Sequence, residues 1–155
     1  MDIMNEEEVR YIVCAVRGRP ESRATATRAI DLALKHRARL TFLHVMDAEF
    51  LEHATIGPLS VIYDELNKMG QFTMMILCDR ASRRGVSEVD YVVVEGNIRD
   101  QIERFILSSQ ADLVVMGKPQ PGIPKSIFKE NEIQAYIRQL EDQAKVRIVQ
   151  VSPDH

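Results

Sequence analysis

The feature that most constrains this chain is the regular alternation of short β-branched runs with longer segments whose apolar residues recur at helical spacing. Residues 10–17 (RYIVCAVR), 39–46 (RLTFLHVM), 88–95 (EVDYVVVE), 111–117 (ADLVVMG) and 146–151 (VRIVQV) have strand length and are rich in Val, Ile and Leu. Ser22 can cap the first intervening helix, in which Ala26, Ala29, Ile30, Ala33 and Leu34 share a face. Pro58 suits the first turn of a long helix, and Gly85 its end. Its apolar phase predicts a buried face of Leu59, Ile62, Leu66, Met69, Thr73, Ile76 and Leu77. Asn97 is a good N-cap for a third helix buried through Ile98, Ile102, Phe105 and Ile106. Residues 130–144 predict a fourth helix, buried through Ile133, Tyr136, Ile137, Leu140 and Ala144. Strands separated by helices pair in parallel through crossovers. The expected fold is therefore α/β: an open, doubly wound, five-stranded parallel sheet with helices on both faces, Rossmann-like in its layering.

A chain of 155 residues suits one domain. That domain is expected over 10–151, preceded by a flexible N-terminus over 1–9. Hydrophobic residues at 45% and charged residues at 28% fit a folded chain, and a net charge of −3 gives no reason to expect nucleic acid as a partner. No apolar run approaches the roughly 20 residues that cross a bilayer, so no membrane partner is expected. MDIMNEEEVR lacks the basic and apolar parts of a secretion signal. Cys14 and Cys78 lie in apolar-patterned segments, which fits buried thiols in a reducing compartment. The expectation is a soluble, cytoplasmic protein.

In an open doubly wound sheet, ligands sit beyond the carboxyl ends of the strands, where strand order reverses. That edge collects Val16, Arg17 and Gly18, then Val45 and Met46, then Gly96 and Asn97, and finally Met116, Gly117 and the loop 117–126. Helix N-termini point to the same edge and favour an anion. The candidate cofactor-binding residues are Val16, Arg17, Val45, Met116, Gly117, Lys118, Gly122, Lys125 and Ser126.

YIVCAVRGRPES resembles the first strand and turn of the universal stress protein family, and RLTFLHV its second strand. VEGNIRDQI followed by ADLVVMGKP resembles its third strand, third helix and fourth strand. The resemblance runs from about residue 10 to 151, in the family's order. It implies a five-stranded fold of the adenine nucleotide alpha hydrolase-like type, frequently dimeric and associated with stress responses, with ATP bound by some members. Nucleotide-binding members carry an acidic residue just after strand one; the matching position here is Arg17. They also carry Gly, two residues, Gly, nine residues, then Gly with Ser or Thr; here Gln120 replaces the second Gly, and no Gly-Ser or Gly-Thr pair follows. Pro119, Pro121 and Pro124 have no N–H with which to hold phosphate. The resulting expectation is a non-catalytic stress-response module with a degraded nucleotide site and no cofactor. It would act through a protein partner or as a homodimer formed along the last strand by Val146, Ile148, Val149 and Val151. The alternative is an ATP- or AMP-binding stress protein with at most slow ATP hydrolysis, its phosphates held by Lys118, Lys125 and Ser126.

Other signals read as structural. Gly117, Gly122 and Lys125-Ser126 miss the P-loop spacing, because Ile123 and Pro124 intervene. His44 sits within a strand, and His36, His53 and His155 lack metal-ligand spacing. Cys14 at mid-strand reads as inert packing. Met69, Met74 and Met75 read as helix packing. The Glu6-Glu7-Glu8 run reads as a solvated terminus. A phosphate-receiver chemistry would need acidic residues after strand one and an Asp ending strand three, where Arg17 and Glu95-Gly96 stand. No catalytic or metal-binding residues are expected.

Overall fold

Apolar runs covered on both sides become interior strands, and the computed structural model, which describes residues 8–16, 22–46, 59–118 and 130–152, follows that logic. The elements are β1 (Tyr11–Val16), α1 (Ser22–His36), β2 (Arg39–Met46), α2 (Leu59–Arg84), β3 (Val89–Glu95), α3 (Ile98–Ser109), β4 (Leu113–Gly117), α4 (Glu130–Ala144) and β5 (Arg147–Val151). The five strands are all parallel, in the order β3-β2-β1-β4-β5. Strand order thus reverses between β1 and β4, as expected of a doubly wound sheet. Among the described residues, no helix is long and apolar enough to cross a membrane.

Alternation along each strand divides the core in two. Ile12, Cys14, Leu40, Phe42, Leu113 and Val115 face α1 and α2, meeting Ala26, Ile30, Ala33, Met74 and Ala81. Val13, Leu43, Val114 and Met116 face α3 and α4, meeting Ile102, Ile106, Tyr136, Ile137 and Leu140. The α1 face is built from alanines, which lets the helix approach the sheet closely.

Boundaries shift by a residue or two where a side chain does the work of a strand. The Asp112 carboxylate accepts the Arg10 and Tyr11 N–H groups at 2.9 and 3.0 Å. It thereby joins the start of β1 to the start of β4, and β4 begins only at Leu113. Asn97 caps α3 as expected, its side chain accepting the Asp100 N–H at 3.2 Å.

The expected face of α2 needs correction. Met69 and Ile76 are exposed, as is Met75, while the helix buries Gly70, Met74 and Ala81. The helix carries apolar residues on two sides, and contact with β2 and β3 selects the side on which Gly70 allows close approach. Of the three methionines read as packing, only Met74 is core.

Candidate functional site

The carboxyl ends of the strands form one edge, and backbone hydrogen bonds organise much of it. Val16, the last residue of β1, pairs in register with His44 of β2. His44 Nδ1 lies 3.1 Å from the Val16 carbonyl oxygen. A carbonyl can only accept, so Nδ1 carries the proton and the ring is fixed in orientation. The other side of that ring rests on α2, where a Cβ added to Gly70 would lie 2.9 Å from His44 Cδ2. Next along the edge, Gly96 donates its N–H to the Met46 carbonyl at 2.9 Å, joining the ends of β3 and β2. Its φ of +143° is open to glycine and strained for other residues. Tyr63 of α2 bonds the Glu95 carboxylate at the end of β3, and that bond raises the tyrosine's pKa.

The candidate residues from the sequence divide into three groups. Val16, Val45 and Met116 stand at the edge, but their side chains belong to the core: Val16 on the α1/α2 side, Val45 and Met116 on the α3/α4 side. They can offer only backbone groups to a ligand. Gly117 and Lys118 are exposed at the end of β4. The Lys118 N–H donates to the Val151 carbonyl at 2.9 Å, so it extends the ladder to β5, while its ammonium stays at the surface. A Cβ on Gly117 would meet Thr25 Oγ1 at 3.2 Å, which marks a close approach of α1 to the end of β4. Arg17, Gly122, Lys125 and Ser126 lie outside the described residues.

Two features of the edge carry only weak signals in the sequence. The Tyr63–Glu95 contact joins residues far apart in the chain, and nothing local announces it. The His44–Gly70 contact has one trace, a glycine placed in mid-helix, where glycine is otherwise unfavourable.

Chemically, among the described residues the edge offers backbone groups, the Lys118 cation and the Tyr63–Glu95 pair. Asn97 already occupies the N-terminus of α3, taking the Asp100 N–H that an anion would otherwise use. Burial pushes the Cys14 thiol far up, so that it stays protonated, and its Sγ rests 3.9 Å from the Thr25 carbonyl oxygen. Burial, followed by the nearby Asp90 charge, raises Cys78 to about 11. Neither is a thiolate nucleophile near neutral pH. Among the described residues, no cluster of His, Cys, Asp and Glu is arranged to hold a metal ion.

Comparison with known proteins follows the same lines. The model of the Universal stress protein family matches residues 8–139. The chain is similar to the universal stress protein UspA from Lactobacillus plantarum, with a TM-score of 0.71 and 19% identity, over 92% of this chain and 97% of that one. It is similar to a protein of the universal stress protein family from Burkholderia pseudomallei, with a TM-score of 0.67 and 22% identity, over 94% and 97% of the two chains. A universal stress protein solved in complex with cAMP gives a TM-score of 0.67 at 18% identity, over 94% and 99%. At these identities the likeness shows a shared fold. A search of curated proteins returned no match.

Proposed function

The chain belongs to the universal stress protein family, and from that premise we propose that it is a non-catalytic stress-response module acting by association, with its ATP site degraded. The observation that carries this reading is the placement of β5. It lies at the edge of the sheet, hydrogen-bonded on one side to β4. The Arg147 N–H points to the Asp112 carbonyl and the Val151 carbonyl accepts from Lys118, so alternation turns the backbone groups of Ile148 and Gln150 outward. A second copy can add there as a strand, with the partly exposed Ile148, Val149 and Val151 supplying the apolar surface around the seam. Val146, expected to join them, is buried in the α3/α4 core and precedes the strand.

Gln150→Pro tests the reading, because proline removes an outward donor and no bond to β4. Sedimentation equilibrium at micromolar concentration should give an average mass above the 17.7 kDa of one chain, and Gln150→Pro should lower it. An unchanged mass, in a variant whose circular dichroism matches the wild type, would count against strand addition.

Nucleotide binding is the competing reading, favoured by the cAMP found with a protein of the same fold. Against it stand the cation at Arg17, the missing donors of Pro119, Pro121 and Pro124, and the occupied cap at Asn97. Calorimetry with ATP–Mg²⁺ should show weak or no heat of binding. Arg17→Asp should raise affinity if charge is the main obstacle. Tight binding by the wild type would overturn the preference for association alone.

A further inference from the structure

Helix α2 carries a second apolar stripe that faces away from the core. Val61, Met69, Phe72, Met75 and Ile76 are 55, 63, 63, 53 and 51% exposed. With about 100° between successive residues, they fall within an arc of about 120°. Gly70, Met74 and Ala81 are buried on the opposite side of the same helix. An aromatic and two methionines grouped on one exposed helix face mark an interaction surface more than a solvated one.

The charged residues on the same face say what fits it: by the same step Lys68, Asp79 and Arg83 fall inside this arc and Asp64 at its rim. A two-fold axis running between two copies of α2, level with the Thr73–Met74 peptide, sets Phe72 of one copy opposite Met75 of another. The same axis sets Lys68 opposite Asp79 and Asp64 opposite Arg83, and all four of these charged residues are exposed. Asp79 and Arg83 already form a pair at 2.9 Å within the helix, so Lys68 and Asp64 of the second copy extend an existing network. Met69 and Ile76 lie on one flank of the seam, within a turn of each other across the axis. A parallel arrangement would instead set each charge against its own kind. We propose that the exposed face of α2 is an interface with a second copy of this chain, the two helices packing antiparallel about that axis.

The test uses the full chain and three exposed positions, so folding is not at stake. Phe72→Glu should lower the average mass in sedimentation equilibrium while leaving far-ultraviolet circular dichroism unchanged. Lys68→Asp and Asp79→Lys each place like charges across the axis, and each alone should weaken association at least several-fold. Mixed one to one, they restore both opposite-charge contacts, and the mixture should associate more tightly than either variant alone. A mass indifferent to Phe72→Glu would overturn the proposal, as would a mixture no larger than its components. Self-association that is absent while another protein's amphipathic helix binds the stripe would overturn it too. Gln150→Pro leaves this face intact, so the α2 pairing and the β5 pairing fail separately.

Discussion

Gly70 shows how a single residue decides the seating of a whole helix. In mid-helix it costs about 1 kcal/mol relative to alanine, and the cost is accepted because His44 lies against it. Gly70→Ala would place a methyl group 2.9 Å from His44 Cδ2 and 3.0 Å from Nε2. The ring cannot yield freely, being held by the Val16 carbonyl. Overpacking of this kind costs about 1–3 kcal/mol, so Gly70→Ala should destabilise by about 1 kcal/mol despite its better propensity. In a His44→Ala background the clash is gone, and the same change should stabilise by up to about 1 kcal/mol. Urea unfolding of the four chains checks this reversal of sign, and additive effects would rule out the contact. At the site, the sequence was legible by position and not by side chain. Val16, Val45 and Met116 could be placed at the ends of strands, because the order of elements dictates where strands end. That their side chains are core follows from which face each residue takes, and strands apolar on both faces do not reveal it.

At the scale of elements, the strands and helices could be read in order because β-branched runs and 3.6-residue periodicity are local signals. Helix α2 was harder, for it carries two apolar stripes and periodicity alone cannot rank them. The phase through Met69 and Ile76 is as regular as the one through Gly70, Met74 and Ala81, and only tertiary contact separates them. β5 holds a second feature that no local pattern reveals. Glu141 of α4 accepts the outward Ile148 N–H at 3.1 Å, so one donor of the free edge is satisfied within the chain. A second copy adding as a strand must displace that carboxylate. Glu141→Ala should therefore tighten association along β5 by roughly tenfold, taking about 1.4 kcal/mol for the released donors of the two chains together. It should also lower the stability of the isolated chain by about 1 kcal/mol, since Ile148 loses its partner. Glu141→Gln keeps an acceptor and should change both quantities less. Sedimentation and urea unfolding measure the two effects, and association weakened by Glu141→Ala would show that the carboxylate supports the pairing.

On the scale of the whole molecule, the two proposed surfaces lie on different halves of the sheet. Helix α2 packs over β2 and β3, whereas β5 lies at the other edge, beyond β1 and β4. One chain can therefore use both at once, and two different two-fold contacts on one chain lead past the dimer. They close if the axes meet at a suitable angle, into a tetramer when that angle is a right angle, and otherwise continue as an open string of copies. Light scattering against concentration should accordingly show wild-type species larger than a dimer. Phe72→Glu and Gln150→Pro should each stop assembly at the dimer, by different contacts, and the double variant should remain at 17.7 kDa. The order of events follows from what each contact must first give up. The α2 stripe is already exposed and needs no rearrangement, whereas β5 must free Ile148 from Glu141. Pairing through α2 should thus form at lower concentration, leaving the Gln150→Pro dimer tighter than the Phe72→Glu dimer. A wild-type chain that stays dimeric at every concentration, and becomes monomeric with either substitution alone, would mean that both residues serve a single interface.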